Sequence, residues 1–467
     1  MERLGVLDAF FLETEDAVNH MHIGALCIVE GPPPGPDELE RLVTAKLPLV
    51  PRYRQKVRTA PANIGRPVWI DDTRFEIAYH IRHTALPPPG GHDELRNLMG
   101  RVMSQQLDRR RPLWEMWVVE GLPDDRWAVI TKVHHSIVDG IAGTELLAAI
   151  FDIELDADPP PHVEWTPRPE PSSLDLAMHS LRGILAAPVV RTRAALATLH
   201  DPVPTIRRLA DTARGLGRMG GMLRPRPPSS LMRPIGPHRR YHWAGASLDD
   251  VKTVRRELGG TVNDVVLAVV THGWRDLLTA RGESCEGRTV RSVVPVSLRA
   301  PDEHGRLDNR VSVMFADLPV GIEDPVERLT DLSTQLGNLK RSGEIEAVDS
   351  FLSGGDATPA LPHALASRAL THMQPFVETI TTNVPGPQFP LYAAGRKVLE
   401  LLPFVPIAGR MELTVAILSY MGQLRFAVTG DYEHAADIDV LAGGIERGMT
   451  ELLEAAARSG DEILSKG

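Results

Sequence analysis

Cysteine is nearly absent from this chain: Cys27 and Cys285 are the two in 467 residues. Neither belongs to a CxxC pair, so a disulfide framework or a structural zinc site is not expected, and a reducing compartment suits the protein. An excess of positive charge is missing too. With 51 Lys and Arg against 61 Asp and Glu, the net charge is -10 and the pI lies near 6.0. That balance speaks against nucleic acid as a partner. No uninterrupted apolar run is long enough to span a bilayer. The opening Met1 to Asp8 lacks a basic region followed by an apolar core, so no signal peptide is expected. GxSxG, a P-loop and a GxGxxG turn are all absent, which leaves hydrolase, NTPase and dinucleotide readings without a basis. The expected location is cytoplasmic, with peripheral residence on a membrane or lipid surface left open.

What is present is ordinary for a globular protein: 43% hydrophobic and 24% charged residues, in a length that suits two domains of roughly 200 residues each. Strands and helices mix without the rhythm of a doubly wound sheet, so the fold class is mixed α/β with two domains. Residues 156–171 are proline-rich and read as an exposed connector. A helix is expected over 174–199, followed by an arginine-rich segment from Arg207 to Arg240. That segment is either a solvated crossover or an attractive surface for anionic groups such as lipid headgroups or phosphates. The expected division is therefore 1–172, a linker over 173–240, and 241–467.

In the first part the pattern predicts a short helix at 7–12 and a strand at 20–29. A helix from Pro36, strands at 67–71 and 77–84, a helix over 94–107 and a strand at 114–120 follow. In the second part it predicts helices at 248–258, 261–278, 324–339 and 438–457. Strands are expected at 291–298, 310–318, 377–384, 411–420 and 424–432, with a polar loop over 342–362.

The chemistry concentrates in Lys132-Val133-His134-His135-Ser136-Ile137-Val138-Asp139-Gly140. The β-branched run at 126–131 reads as a strand and the apolar residues after Gly140 read as a helix, so the two histidines sit where a strand ends. A neutral imidazole there can take a proton from a hydroxyl and return it later. Asp139 can orient the imidazole or pair with a distant arginine to hold the loop. The second role is preferred, with Arg299 or Arg310 as candidate partners.

His134-His135-x-x-x-Asp139-Gly140 resembles the HHxxxDG signature of the CoA-dependent acyltransferase superfamily. Pro112-Leu113-Trp114-Glu115 resembles the PLW block of the bacterial wax ester synthase/diacylglycerol acyltransferase family. Asn263-Asp264 resembles its ND motif, and Asn383-Val384-Pro385-Gly386-Pro387 its NVPGP motif. The opening Leu7-Asp8-Ala9-Phe10-Phe11-Leu12 completes a set that runs in the family's order over almost the whole chain.

The resemblance implies two chloramphenicol-acetyltransferase-like domains with the site in a tunnel between them. It implies long-chain acyl-CoA as donor substrate, with no cofactor and no metal. Diacylglycerol or a fatty alcohol would be the acceptor. It assigns the general base to His135, with His134 supporting it and Asp139 and Gly140 shaping the turn. Asn263, which can equally cap its helix, would stabilise the oxyanion, and Asp264 would support it. Pro112, Leu113, Trp114, Asn383, Pro385 and Gly386 would line the tunnel, although Trp114 reads most simply as a buried core indole. Two other functions remain open: a carrier-protein-dependent, condensation-type acyltransferase, and a lipid-binding surface protein of weak activity.

Overall fold

A computed structural model describes residues 1–61, 65–138, 151–157, 163–181, 229–297, 311–341 and 376–466. Two six-stranded sheets organise these residues, with a small three-stranded sheet beside the first. In the small sheet, β1 (Glu2–Arg3) pairs with β4 (Val68–Asp71), which also pairs with β3 (Gln55–Arg58).

The first large sheet is built on β2 (His22–Glu30) and β7 (Arg126–His134), which run antiparallel with His22 opposite His134. β6 (Trp114–Leu122) and β5 (Ile81–Ala85) extend it on one side. β7 is rich in β-branched and apolar residues because it is central and buried on both faces. Trp127, Val129 and Val133 point into one core, and Ala128 and Ile130 into another. The first core is closed by Leu39 and Val43 of α2 (Pro36–Lys46), and the second by Leu95, Met99 and Val102 of α4 (His92–Met103). The helix at the very start, α1 (Val6–Thr14), packs near the far end of β7.

The far edge of this sheet comes from the other half of the sequence. β13 (Arg396–Phe404) pairs onto β2, with Leu401 opposite Cys27 and Phe404 opposite Gly24, and β12 (Tyr392–Ala393) pairs onto β13. The pattern did not predict β13, and its register shift between Val398 and Glu400 explains why. The irregularity moves the apolar residues off strict alternation: Val398 and Leu401 enter one core while Leu402 and Phe404 enter the other.

The second large sheet has the order β10 (Val311–Leu318), β9 (Val290–Ser297), β11 (Thr379–Val384), β14 (Leu413–Tyr420), β15 (Gln423–Asp431), β8 (Arg239–Ser247). α6 (Leu248–Leu258), α7 (Val262–Ala280), α8 (Pro325–Arg341) and α9 (Ile438–Lys466) accompany it, and α7 is the most apolar of them because it is buried from Val265 to Val270. Tyr241 and Trp243 of β8 and Ala427 of β15 belong to the same core as Leu95 and Phe404, so one apolar cluster joins the two sheets. The Tyr241 hydroxyl donates to the Pro403 carbonyl at 2.8 Å across that junction.

The structure revises three expectations. Residues 77–84 are not one strand: α3 (Ile77–His80) forms a single turn before β5, which tucks the His80 ring against Trp114. β8 occupies the end of the arginine-rich segment, where a connector was expected. Its Arg239 is buried rather than solvated, donating to the carbonyls of Gly236, His238 and Val18. The predicted helix 174–199 is described only as far as residue 181, and the predicted loop 342–362 lies outside the described residues.

Candidate active site

β7 delivers the two histidines in different ways because the strand ends between them. His134 is its last residue, with its N–H donated to the Leu113 carbonyl at 2.9 Å. His135 is the first residue of α5 (His135–Val138), and its N–H donates to the Met21 carbonyl at 2.8 Å. The main chain of both is therefore fixed by neighbours on either side.

The His134 side chain is fully buried. Its Nδ1 accepts from the Ser136 N–H at 3.1 Å and lies 2.7 Å from the Ser136 hydroxyl. That leaves the proton of the neutral ring on Nε2, which lies 3.7 Å from Oε2 of Glu15. Burial, with smaller contributions from Arg109 and His135, pushes the His134 pKa down to about 3. His134 is a strut of the turn and is held neutral.

The His135 ring is half-buried and stacks on Phe11 of α1, with centroids 3.8 Å apart and planes at 27°. Its Nδ1 is buried without a hydrogen-bond partner. Burial pushes the pKa down to about 4, so the ring is a free base at neutral pH. Phe11 in turn packs with Met21 against Ala408, Met411, Val377 and Ile380. This small cluster draws on both halves of the chain, which places the catalytic candidate at their junction.

Pro112, Leu113 and Trp114 lie beside the histidines but belong to the core. All three are buried, and the Leu113 carbonyl is the group that receives His134. Trp114 is stacked between Tyr53 at 4.6 Å and His80 at 4.5 Å, and its Nε1 donates to the Tyr53 carbonyl at 2.9 Å. Both faces of the indole are covered, in keeping with the simpler expectation of a buried core indole.

Asn263 does not cap α7. Thr261 does: its hydroxyl accepts from the Asp264 N–H at 3.2 Å, and the Asp264 carboxylate accepts from the Thr261 N–H at 2.8 Å. Asp264 is thus half of a capping box. Asn263 is left to accept, on Oδ1, a hydrogen bond from Nδ2 of Asn383 at 3.2 Å. The ND and NVPGP stretches therefore meet directly, a pairing that their separation in sequence concealed.

After Val384 the chain leaves the second sheet and crosses to β12 and β13 of the first. Pro385 lies exposed on that turn, and the Gly386 N–H donates to Ser419 Oγ at 3.1 Å. A Cβ at Gly386 would fall 2.1 Å from the Ser419 carbonyl oxygen, so only glycine fits there. Asp139 and Gly140, with the partner candidates Arg299 and Arg310, lie outside the described residues. Among the described residues, no group of three His, Cys, Asp or Glu is placed to hold a metal ion.

Comparison with known proteins decides the family. Residues 4–266 match the model of the wax ester synthase/diacylglycerol acyltransferase catalytic domain, and residues 307–453 that of the WS/DGAT C-terminal domain. The chain belongs to the wax ester synthase/diacylglycerol acyltransferase family. Within it, the chain is 37% identical over 461 residues to tgs1 of Mycobacterium tuberculosis (strain H37Rv), named a probable diacylglycerol O-acyltransferase. That match covers 98% of this chain and 97% of the relative. The fold is shared with the wax ester synthase/diacylglycerol acyltransferase of Marinobacter aquaeolei VT8, at a TM-score of 0.69 and 24% identity over 98% of this chain and all of that one. It is also similar to the first condensation domain of the calcium-dependent antibiotic synthetase, at a TM-score of 0.57 and 17% identity over 97% and 96% of the two chains. The mixed α/β architecture is thus common to this family and to condensation domains.

Five residues around the histidines escaped the sequence reading as site residues: Phe11, Glu15, Met21, Arg109 and Ser136. Phe11 lies in the opening block that carried part of the resemblance, and Ser136 within the histidine stretch. Glu15 and Arg109 gave no signal, one being among three acids at the end of a helix (Glu13, Glu15 and Asp16) and the other the first of three arginines.

Proposed function

We propose that this chain transfers the acyl group of a long-chain acyl-CoA to the free hydroxyl of diacylglycerol, yielding triacylglycerol and free CoA. Long-chain alcohols are the second acceptor class, yielding wax esters. The observation that carries the reading is His135: an imidazole kept unprotonated by burial, stacked on Phe11 and seated where the two halves of the family's fold meet.

In this mechanism His135 takes the proton of the acceptor hydroxyl as its oxygen attacks the thioester carbonyl carbon. The tetrahedral intermediate collapses by breaking the carbon–sulfur bond, and the proton on His135 passes to the departing thiolate. No acyl-enzyme forms, because holding both substrates together supplies the positioning. Asn263, with its Oδ1 occupied by Asn383, retains an amide N–H as the donor proposed for the oxyanion. Asp139 is proposed to hold the turn by an ion pair, and the tunnel to run along the junction of the two halves, with Pro112, Leu113, Asn383, Pro385 and Gly386 near it.

No described helix is long and apolar enough to cross a membrane. Peripheral contact with a lipid surface is supported by Leu174, Met178 and Leu181, exposed at helical spacing on residues 173–181.

The test is release of free thiol from palmitoyl-CoA by the purified protein with dioleoylglycerol, with hexadecanol, or with no acceptor. Acceptor-dependent release that His135→Ala abolishes is the expected result. Release that ignores the acceptor or survives the substitution would sink the mechanism, and no release with any acceptor would favour lipid binding without turnover.

A further inference from the structure

The turn that carries His135 is braced from one point. Glu15 follows α1 as its C-cap, and its side chain is 1% exposed. Its Oε2 accepts from Nε of Arg109 at 3.0 Å and from Nη2 at 2.8 Å. The same Nη2 also donates to the Leu12 carbonyl at 2.8 Å and the Glu15 carbonyl at 3.3 Å, which ties the arginine to the end of the helix.

From this anchored carboxylate two lines run to the histidines. Oε1 accepts the Met21 N–H at 3.3 Å, and the carbonyl of that same Met21 receives the His135 N–H. Oε2 faces the His134 Nε2 at 3.7 Å, while the other ring nitrogen of His134 is bonded to Ser136. Arg109 thus anchors Glu15, Glu15 is bonded through Met21 to the main chain of His135, and its other oxygen packs beside the His134 ring. The ring support, Phe11, lies one helical turn before Glu15 on the same element, and the Glu15 N–H donates to its carbonyl at 3.2 Å.

We propose that Glu15, locked by Arg109, is a positioning residue that sets the angle of the His135 imidazole. A buried carboxylate bonded to a guanidinium on one side and to a main-chain N–H on the other is suited to this work, because it is fixed from two directions. Glu15 touches no reacting atom, so its contribution lies in orientation. Displacement of a reacting group by about 1 Å can cost on the order of a hundredfold in rate. The inference rests on the reading of His135 as the base.

The experiment compares Glu15→Gln, Glu15→Asp and Ser136→Ala with the full-length parent and with His135→Ala, using palmitoyl-CoA and dioleoylglycerol. Glu15→Gln keeps the shape and the bond to Met21 but removes the charge that holds Arg109. It is expected to lower kcat at least tenfold while both KM values stay within twofold and the melting temperature holds. Glu15→Asp keeps the charge and is expected to restore several-fold of that loss. Ser136→Ala, on the far side of the His134 ring, is expected to lower kcat several-fold in a folded protein, and it carries the test if Glu15→Gln does not fold. Unchanged kcat in both Glu15→Gln and Ser136→Ala, with His135→Ala inactive, would overturn the positioning role alone. A parallel decline of kcat, affinity and melting temperature would reduce Glu15 to a stabilising residue. A His135→Ala protein that still turns over would overturn the base itself.

Discussion

His135 can take a proton only while its ring is neutral, and its surroundings are arranged to keep it so. A solvated imidazole would be half protonated near pH 6.5. Burial moves this one down to about 4, so the acid limb of kcat/KM, which reports the free enzyme, is expected below pH 5 rather than near 6.5. Phe11 covers one face of the ring. Phe11→Ala admits water to that face, and the limb is expected to move up by about one pH unit or more. A pH–rate profile of the variant that overlays the parent would show that Phe11 orients the ring without desolvating it. At this scale the sequence was informative about His134 and His135 because their spacing to Asp139 and Gly140 forms a recognisable motif. It was silent about Glu15, whose role depends on Arg109 and Met21, two residues brought to it only by folding.

At the scale of elements, the start of α7 shows how a motif can be read correctly as a place and incorrectly in its parts. The stretch Thr261-Val262-Asn263-Asp264 does begin a helix, as its pattern predicts. The cap, however, is two positions earlier than the most suggestive side chain, and this frees Asn263 to reach Asn383. Thr261→Ala removes the hydroxyl that accepts from Asp264, and a loss of about 1 kcal/mol in unfolding free energy is expected from denaturant titration. Activity at saturating substrate is expected to change little, since Asp264 serves the helix end. A large loss of turnover with unchanged stability would return Asp264 to the chemistry. β7 and α7 were legible because each keeps one apolar pattern throughout. β13 was not, since a register irregularity in mid-strand splits its apolar residues between two cores, and no fixed period describes that.

For the whole molecule, buried histidines dominate the response to acid. The pKa values of His20, His22, His80, His134 and His135 are all lowered, with burial the largest cause in each case. The unfolded chain takes up these protons near pH 6.5, whereas the folded one resists until about 4 at His80 and His135 and about 3 at His134. Between those limits the unfolded state binds more protons, so stability falls as pH drops, by up to about 1.4 kcal/mol per pH unit for each histidine. Denaturant midpoints are expected to be level above pH 7 and to fall steeply from 6.5 toward 4. A midpoint that stays level between pH 7 and 5 would mean that these rings protonate without unfolding. The two-sheet plan was legible as two mixed halves, but the exchange of β12 and β13 between them was not, because strand patterns carry no address. That exchange matters during synthesis. The ribosome finishes β2, β7 and both histidines early, yet β13, which pairs with the other edge of β2, emerges only after most of the second half. At about 5–20 residues per second the wait is on the order of tens of seconds. Through that interval the nascent chain carries an open β edge, a natural client for a holding chaperone, and the sheet that carries the His134–His135 turn is completed only once β12 and β13 have emerged.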